Sequence, residues 1–107
     1  MGIERRRHER KDIAIEVRVS GRDQDGRPIR ESTLSGNISL SGCAVLLSHD
    51  LDAGSELDLK FLCPVSGKEP RVLAFRGAVV RSAPMNVAQY IVGIQFLNGF
   101  FPMDVLG

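Results

Sequence analysis

The chain has 107 residues, 43% of them hydrophobic and 25% charged, and carries a formal net charge of +1. That length supports one domain with its own core and excludes two. No stretch approaches the roughly 18 apolar residues of a membrane helix, and the charged start is not followed by the apolar block of a signal peptide. A cytoplasmic domain with no direct membrane insertion is therefore expected. Charge is unevenly placed. Residues 1–11 hold five basic side chains against Glu4 and Glu9, a net of +3, which leaves nine basic against eleven acidic residues, or −2, on the rest. Such a body would repel a long phosphate backbone, so a nucleic-acid polymer is not the expected partner.

Along the chain, apolar residues recur with a period of two. Ile13, Ile15, Val17 and Val19 alternate with Glu16 and Arg18 and read as a half-buried strand. Residues 21–28 form a polar turn in which Asp25-Gly26 offers left-handed geometry, and a less regular strand follows over about 28–37. Cys43 to Leu47 is a short apolar strand, and Glu56 to Phe61 alternates strictly between charged and apolar. Pro64 through Pro70 reads as a connection. A long strand over about 72–82 is expected to bend at Gly77, and a last one places Tyr90, Val92, Ile94 and Phe96 on one face. No segment predicts an amphipathic helix. Six strands with short connections predict an all-β fold, a closed or nearly closed antiparallel barrel that leaves no free edge, with a two-sheet sandwich as the alternative. The apolar tail, residues 98–107, is expected either to fold back over one mouth or to begin a longer element.

Little in the sequence serves catalysis. His8 and His49 lack ligand spacing and stand near no candidate nucleophile, and Asp23, Asp25, Asp50, Asp52 and Asp58 fall on turns or an exposed strand face. Cys43 and Cys63 sit in apolar stretches and behave as small hydrophobes. No enzyme activity, metal site, disulfide or cofactor is expected.

Two segments stand out. In Arg5-Arg6-Arg7-His8-Glu9-Arg10-Lys11, Arg6 and Arg10 share a face whether the segment is helical or extended. Their planar guanidinium groups suit phosphate oxygens and stack on purines. The plain alternative is a solvated basic tail. In Ser35-Gly36-Asn37-Ile38-Ser39-Leu40-Ser41-Gly42, Asn37 and Ser39 project to one side of an extended backbone, with Ile38 and Leu40 toward the core. An amide and a hydroxyl can read a guanine edge, or can cap their own turn. Gly42 permits positive φ or a close approach of backbone to a ligand.

Taken together and in this order, the two segments resemble the PilZ domain family, whose hallmarks are Arg-x-x-x-Arg and Asp/Asn-x-Ser-x-x-Gly. Arg6-Arg7-His8-Glu9-Arg10 and Asn37-Ile38-Ser39-Leu40-Ser41-Gly42 fill every fixed position. The short apolar strand after the second motif and the closing strand Tyr90 to Phe96 extend the resemblance over nearly the whole chain. It implies a six-stranded antiparallel β-barrel with a flexible basic N-terminal arm, as one domain: arm 1–11, barrel 12–97, tail 98–107. It also implies a receptor for the bacterial second messenger cyclic di-GMP. Arg6 and Arg10 would clamp phosphates and stack on guanines, Asn37 and Ser39 would bond a guanine, and Gly42 would keep the approach clear. Arg5 and Arg7 would be auxiliary ligand-binding residues. The signal would pass by conformational change to a downstream protein partner of unassigned identity. The alternative is an adaptor of the same fold that has lost nucleotide binding.

Overall fold

The computed structural model describes residues 10–65 and 67–106, and for Arg10 and Lys11 the backbone alone. Seven strands form one antiparallel sheet: β1 (Arg10–Lys11), β2 (Glu16–Arg22), β3 (Pro28–Ser39), β4 (Gly42–Leu47), β5 (Glu56–Val65), β6 (Lys68–Pro84) and β7 (Tyr90–Phe96). The six strands expected from alternation are all present. Their inward positions are those that period two assigns: Val17 and Val19 on β2, Leu57, Leu59 and Phe61 on β5, and Val92, Ile94 and Phe96 on β7 are buried. The intervening Glu16, Arg18, Asp58 and Lys60 are exposed.

The closed six-stranded barrel is not what forms. The hydrogen-bonded order is β1-β3-β2-β5-β6-β7-β4, a single curled sheet of seven strands, which also excludes two separate packed sheets. β3 and β4 touch in addition over three residue pairs, with a register break between Ser35 and Asn37. The physical reason lies in how β3 is shared. Its first part pairs with β2 from Pro28 to Leu34, and its end pairs with β1 and with β4, so no single regular seam runs its length. The expected arm is described only where it meets β3. Arg10 and Lys11 are a strand, paired with Ser39 and Ile38, while residues 1–9 of that arm lie outside the described residues.

Two local expectations also change. Val65 pairs with Lys68, so the segment Pro64–Pro70 is the tip of the β5–β6 hairpin rather than a free connection. The irregularity of the long strand falls between Val79 and Arg81, while Gly77 pairs regularly with both Leu57 and Phe96. The β2–β3 turn behaves as its residues predict. Asp23 Oδ1 accepts hydrogen bonds from the backbone N–H groups of Asp25 and Arg27, each at 2.9 Å, and Gly26 takes a φ of +78°.

The concave side holds the core. Phe61 meets Phe75, Phe96 and Phe101 edge-on at centroid distances of 5.9, 5.9 and 5.1 Å, and Phe75 stacks on Phe96 at 4.5 Å. Edge-to-face and offset pairs of this kind suit the ring quadrupole. The tail folds back. Phe101 is fully buried, and its N–H donates to the carbonyl of Leu40 at 2.9 Å. A short 3₁₀ turn, Met103–Leu106, then rests on the core through half-buried Met103, Val105 and Leu106.

Candidate functional site

The second motif spans the end of β3, the tight turn at Leu40–Ser41 and the start of β4. Ile38 is fully buried, as alternation requires, and Leu40 is half-buried. Ser39 is buried as well, at 6% exposure, because its hydroxyl serves its own turn: Oγ lies 3.4 Å from the Gly42 carbonyl and accepts from the Ser41 N–H at 3.3 Å. Both distances are long for hydrogen bonds, so the hydroxyl is only loosely committed. Asn37 is half-buried, and among the described residues its amide makes no hydrogen bond.

Gly42 is needed for a reason the sequence did not reveal. It is not among the glycines with positive φ. A Cβ at this position would lie 2.2 Å from the carbonyl oxygen of Ile94 on β7, so it is the neighbouring strand, not a ligand, that forbids a side chain. The turn is held from beneath by two further bonds: Phe96 N–H donates to the Ser41 carbonyl at 2.8 Å, and Phe101 N–H to that of Leu40.

Above this turn opens a groove of about 590 Å³, a size common among small-molecule sites. Asn37 and Ser39 stand on one side, Val80 and Arg81 of β6 on the other, and Ala44 and Gly93 between them. The ladder explains the arrangement, since Asn37 pairs with Ala44, Ala44 with Gly93, and Gly93 with Arg81. Two residues with little or no side chain thus make a flat floor between polar walls.

Of the first motif, only its last residue is described, and it adjoins the second motif. Arg10 is the ladder partner of Ser39 and Lys11 that of Ile38, so β1 runs beside the second motif. Arg5, Arg6 and Arg7 lie outside the described residues. The link between β1 and β2 is clasped by Ser35, whose exposure is only 3%. Its Oγ donates to the Ile13 carbonyl at 2.8 Å and accepts from Ile15 N–H at 3.0 Å.

Sequence reasoning gave no individual role to Ser35, Arg81 or Gly93. Consecutive Val79 and Val80 break the period of two and could have signalled the irregularity beside Arg81. Nothing local marks Ser35 or Gly93, whose roles come from strands distant in sequence. Among the described residues no group of acidic, histidine or cysteine side chains is placed to hold a metal. No helix among them is long and apolar enough to cross a membrane.

A single antiparallel sheet thus presents an open polar groove, lined at one end by the second motif. The chain belongs to the PilZ domain family: residues 4–99 match the model of the PilZ domain. Members of that family are non-catalytic binding and adaptor modules. No curated protein matches the sequence. Among solved structures, the chain is similar to the Bacillus subtilis inhibitor of motility, MotI/DgrA, at a TM-score of 0.69 and 24% identity, covering 97% of this chain and 47% of that one. It is also similar to the PilZ domain of Escherichia coli YcgR with c-di-GMP, at 0.63 and 17%, covering 89% and 79%. For the K. pneumonia MrkH–c-di-GMP complex the values are 0.60 and 17%, covering 89% and 45%. The chain thus spans about half the length of MotI/DgrA and of MrkH.

Proposed function

We propose that this PilZ domain is a receptor for cyclic di-GMP, a dianionic bis-purine ligand, which it takes up between the basic arm and the groove. The observation that carries the reading is the pairing of Arg10 with Ser39. It sets the second arginine of one motif beside the serine of the other, at the rim of a groove that Asn37 also lines. Arg6 and Arg10 supply forked donors to the phosphates and flat faces to the guanines, with Arg5 and Arg7 adding positive charge. Asn37 offers an uncommitted amide to a guanine edge, and Ser39 can exchange its long internal bonds for one to the ligand. Gly42 contributes by keeping β4 close against β7. Residues 1–11 then act as the clamping arm of one domain that includes the folded-back tail. The presence of c-di-GMP in two of the similar structures, YcgR and MrkH, points the same way. Ordering the arm around the ligand has an entropic cost that charge-assisted bonds offset. The resulting change at the β1 edge is what a downstream protein in the cytoplasm would sense.

Isothermal titration of the chain with cyclic di-GMP, with GTP and cyclic di-AMP as controls, tests the reading. Micromolar or tighter binding selective for cyclic di-GMP is expected. Arg10→Ala should weaken it by about 2–4 kcal/mol, the usual loss on truncating one side of a desolvated charged contact, without lowering the melting temperature. Absence of heat, or equal binding of GTP, would overturn the assignment and leave the adaptor role.

A further inference from the structure

We infer that Arg81, which lies outside both motifs, is a further ligand-contacting residue of this site, laying its planar guanidinium against a guanine from the wall opposite Asn37. The inference rests on the receptor reading above and names a contact that reading does not contain.

Four observations lead to it. First, the backbone is bent to aim this side chain. Arg81 is two residues beyond buried Val79, and in a regular strand it would share that residue's inward face. The register break between Val79 and Arg81 turns it outward instead, so that both Val80 and Arg81 are exposed. Breaks of this type re-aim side chains beside binding sites. Second, a seat is kept clear for it. A Cβ on Gly93 would lie 3.2 Å from Cγ and 3.5 Å from Nε of Arg81, so the arginine stem crosses a strand position that has no side chain. Third, its charge is uncommitted. Among the described residues Arg81 makes no ion pair and no side-chain hydrogen bond. Arg76 on the same strand, by contrast, pairs with Glu56 at 2.8 Å and Asp58 at 3.6 Å. Fourth, Arg81 lines the same groove as Asn37 and Ser39. Three strand spacings separate Asn37 from Arg81 along the ladder, about 14 Å at the usual inter-strand distance, with the small Ala44 and Gly93 between. A flat aromatic base fits such a floor, and a guanidinium at its edge can stack on the ring or fork to the guanine O6 and N7.

The test uses Arg81→Met, which keeps an unbranched stem over Gly93 and removes the guanidinium, and Arg81→Lys, which keeps the charge and loses the plane. Both are titrated with cyclic di-GMP beside the wild type, and each is melted without ligand. The expected result is unchanged melting with affinity reduced at least about fivefold in both variants, the range of a partly desolvated cation–π contact. A smaller loss in Arg81→Met, or recovery by Arg81→Lys to less than that loss, overturns the inference while the receptor reading stands. Failure of the wild type itself to bind cyclic di-GMP removes the reading and this inference together. Those two failures are read from different samples.

Discussion

The outer surface of the sheet contains two regions built from similar residues and put to different ends. On the β5–β6 ridge, Arg76 is hydrogen-bonded to the Glu56 carboxylate and close to that of Asp58, partners directly across or diagonal on the neighbouring strand. These contacts raise the Arg76 pKa, the Glu56 hydrogen bond most of all, with the charges of Asp58 and Glu56 adding to it. The ridge neutralises itself. On the groove formed by β3, β4, β7 and β6, Arg81 and Asn37 face each other over small residues with their polar groups uncommitted. The contrast teaches that charge by itself marks no site on this protein. What distinguishes the groove is polar capacity that the fold leaves unused, held in place by close backbone packing.

That contrast can be broken most severely at the packing. Gly42→Val places a β-branched side chain against the Ile94 carbonyl, where even a Cβ would be 2.2 Å away. A loss of about 3 kcal/mol is expected from overpacking, seen as a large drop in melting temperature, with ligand binding lost alongside. Next in size is Ser35→Ala. It removes the partner of the buried Ile15 N–H and of the part-buried Ile13 carbonyl, which should cost about 2 kcal/mol in chemical denaturation and loosen β1 in hydrogen exchange. Asn37→Ala sharpens the contrast from the other side. With no internal partner to lose, it should melt like wild type while weakening cyclic di-GMP by about 1 kcal/mol, the net value of a typical hydrogen bond, and eroding the preference for guanine over adenine. Arg76→Ala should change neither melting nor titration, since its partners are exposed and screened.

A further effect, confined to high pH, concerns the thiols. Burial pushes the Cys43 thiol up from 9.0 to about 12, and burial likewise raises that of Cys63, partly offset by Arg71. Each is an acid favoured neutral in the folded state, so its contribution is complete below pH 9 and is lost as pH rises beyond that, for Cys43 on the way to about 12. Neither cysteine should react with a thiol reagent at pH 8 until the protein is unfolded, and stability should decline only above pH 9.

Alternation already marked six strands and most of the residues they bury, because a period of two is a local property and the pleat converts it directly into inward and outward faces. The Asp25-Gly26 turn was equally local, and the second motif's turn was one of the two readings its residues allowed. How β3 divides its edges among β1, β2 and β4, and so why a curled seven-stranded sheet forms in place of a closed six-stranded barrel, became legible only in the assembled sheet. It alone showed that Arg10 and Lys11 are held in the sheet, since their partners lie 29 and 27 residues away along the chain. The reason for Gly42 was equally hidden. Its clash is with Ile94, 52 residues later, and no local pattern encodes a contact of that range. Arg81 reached the groove through a break in register that depends on how β6 meets β7. Periodicity is written residue by residue, whereas register, close approach and the convergence of distant side chains exist only once the strands have been laid side by side.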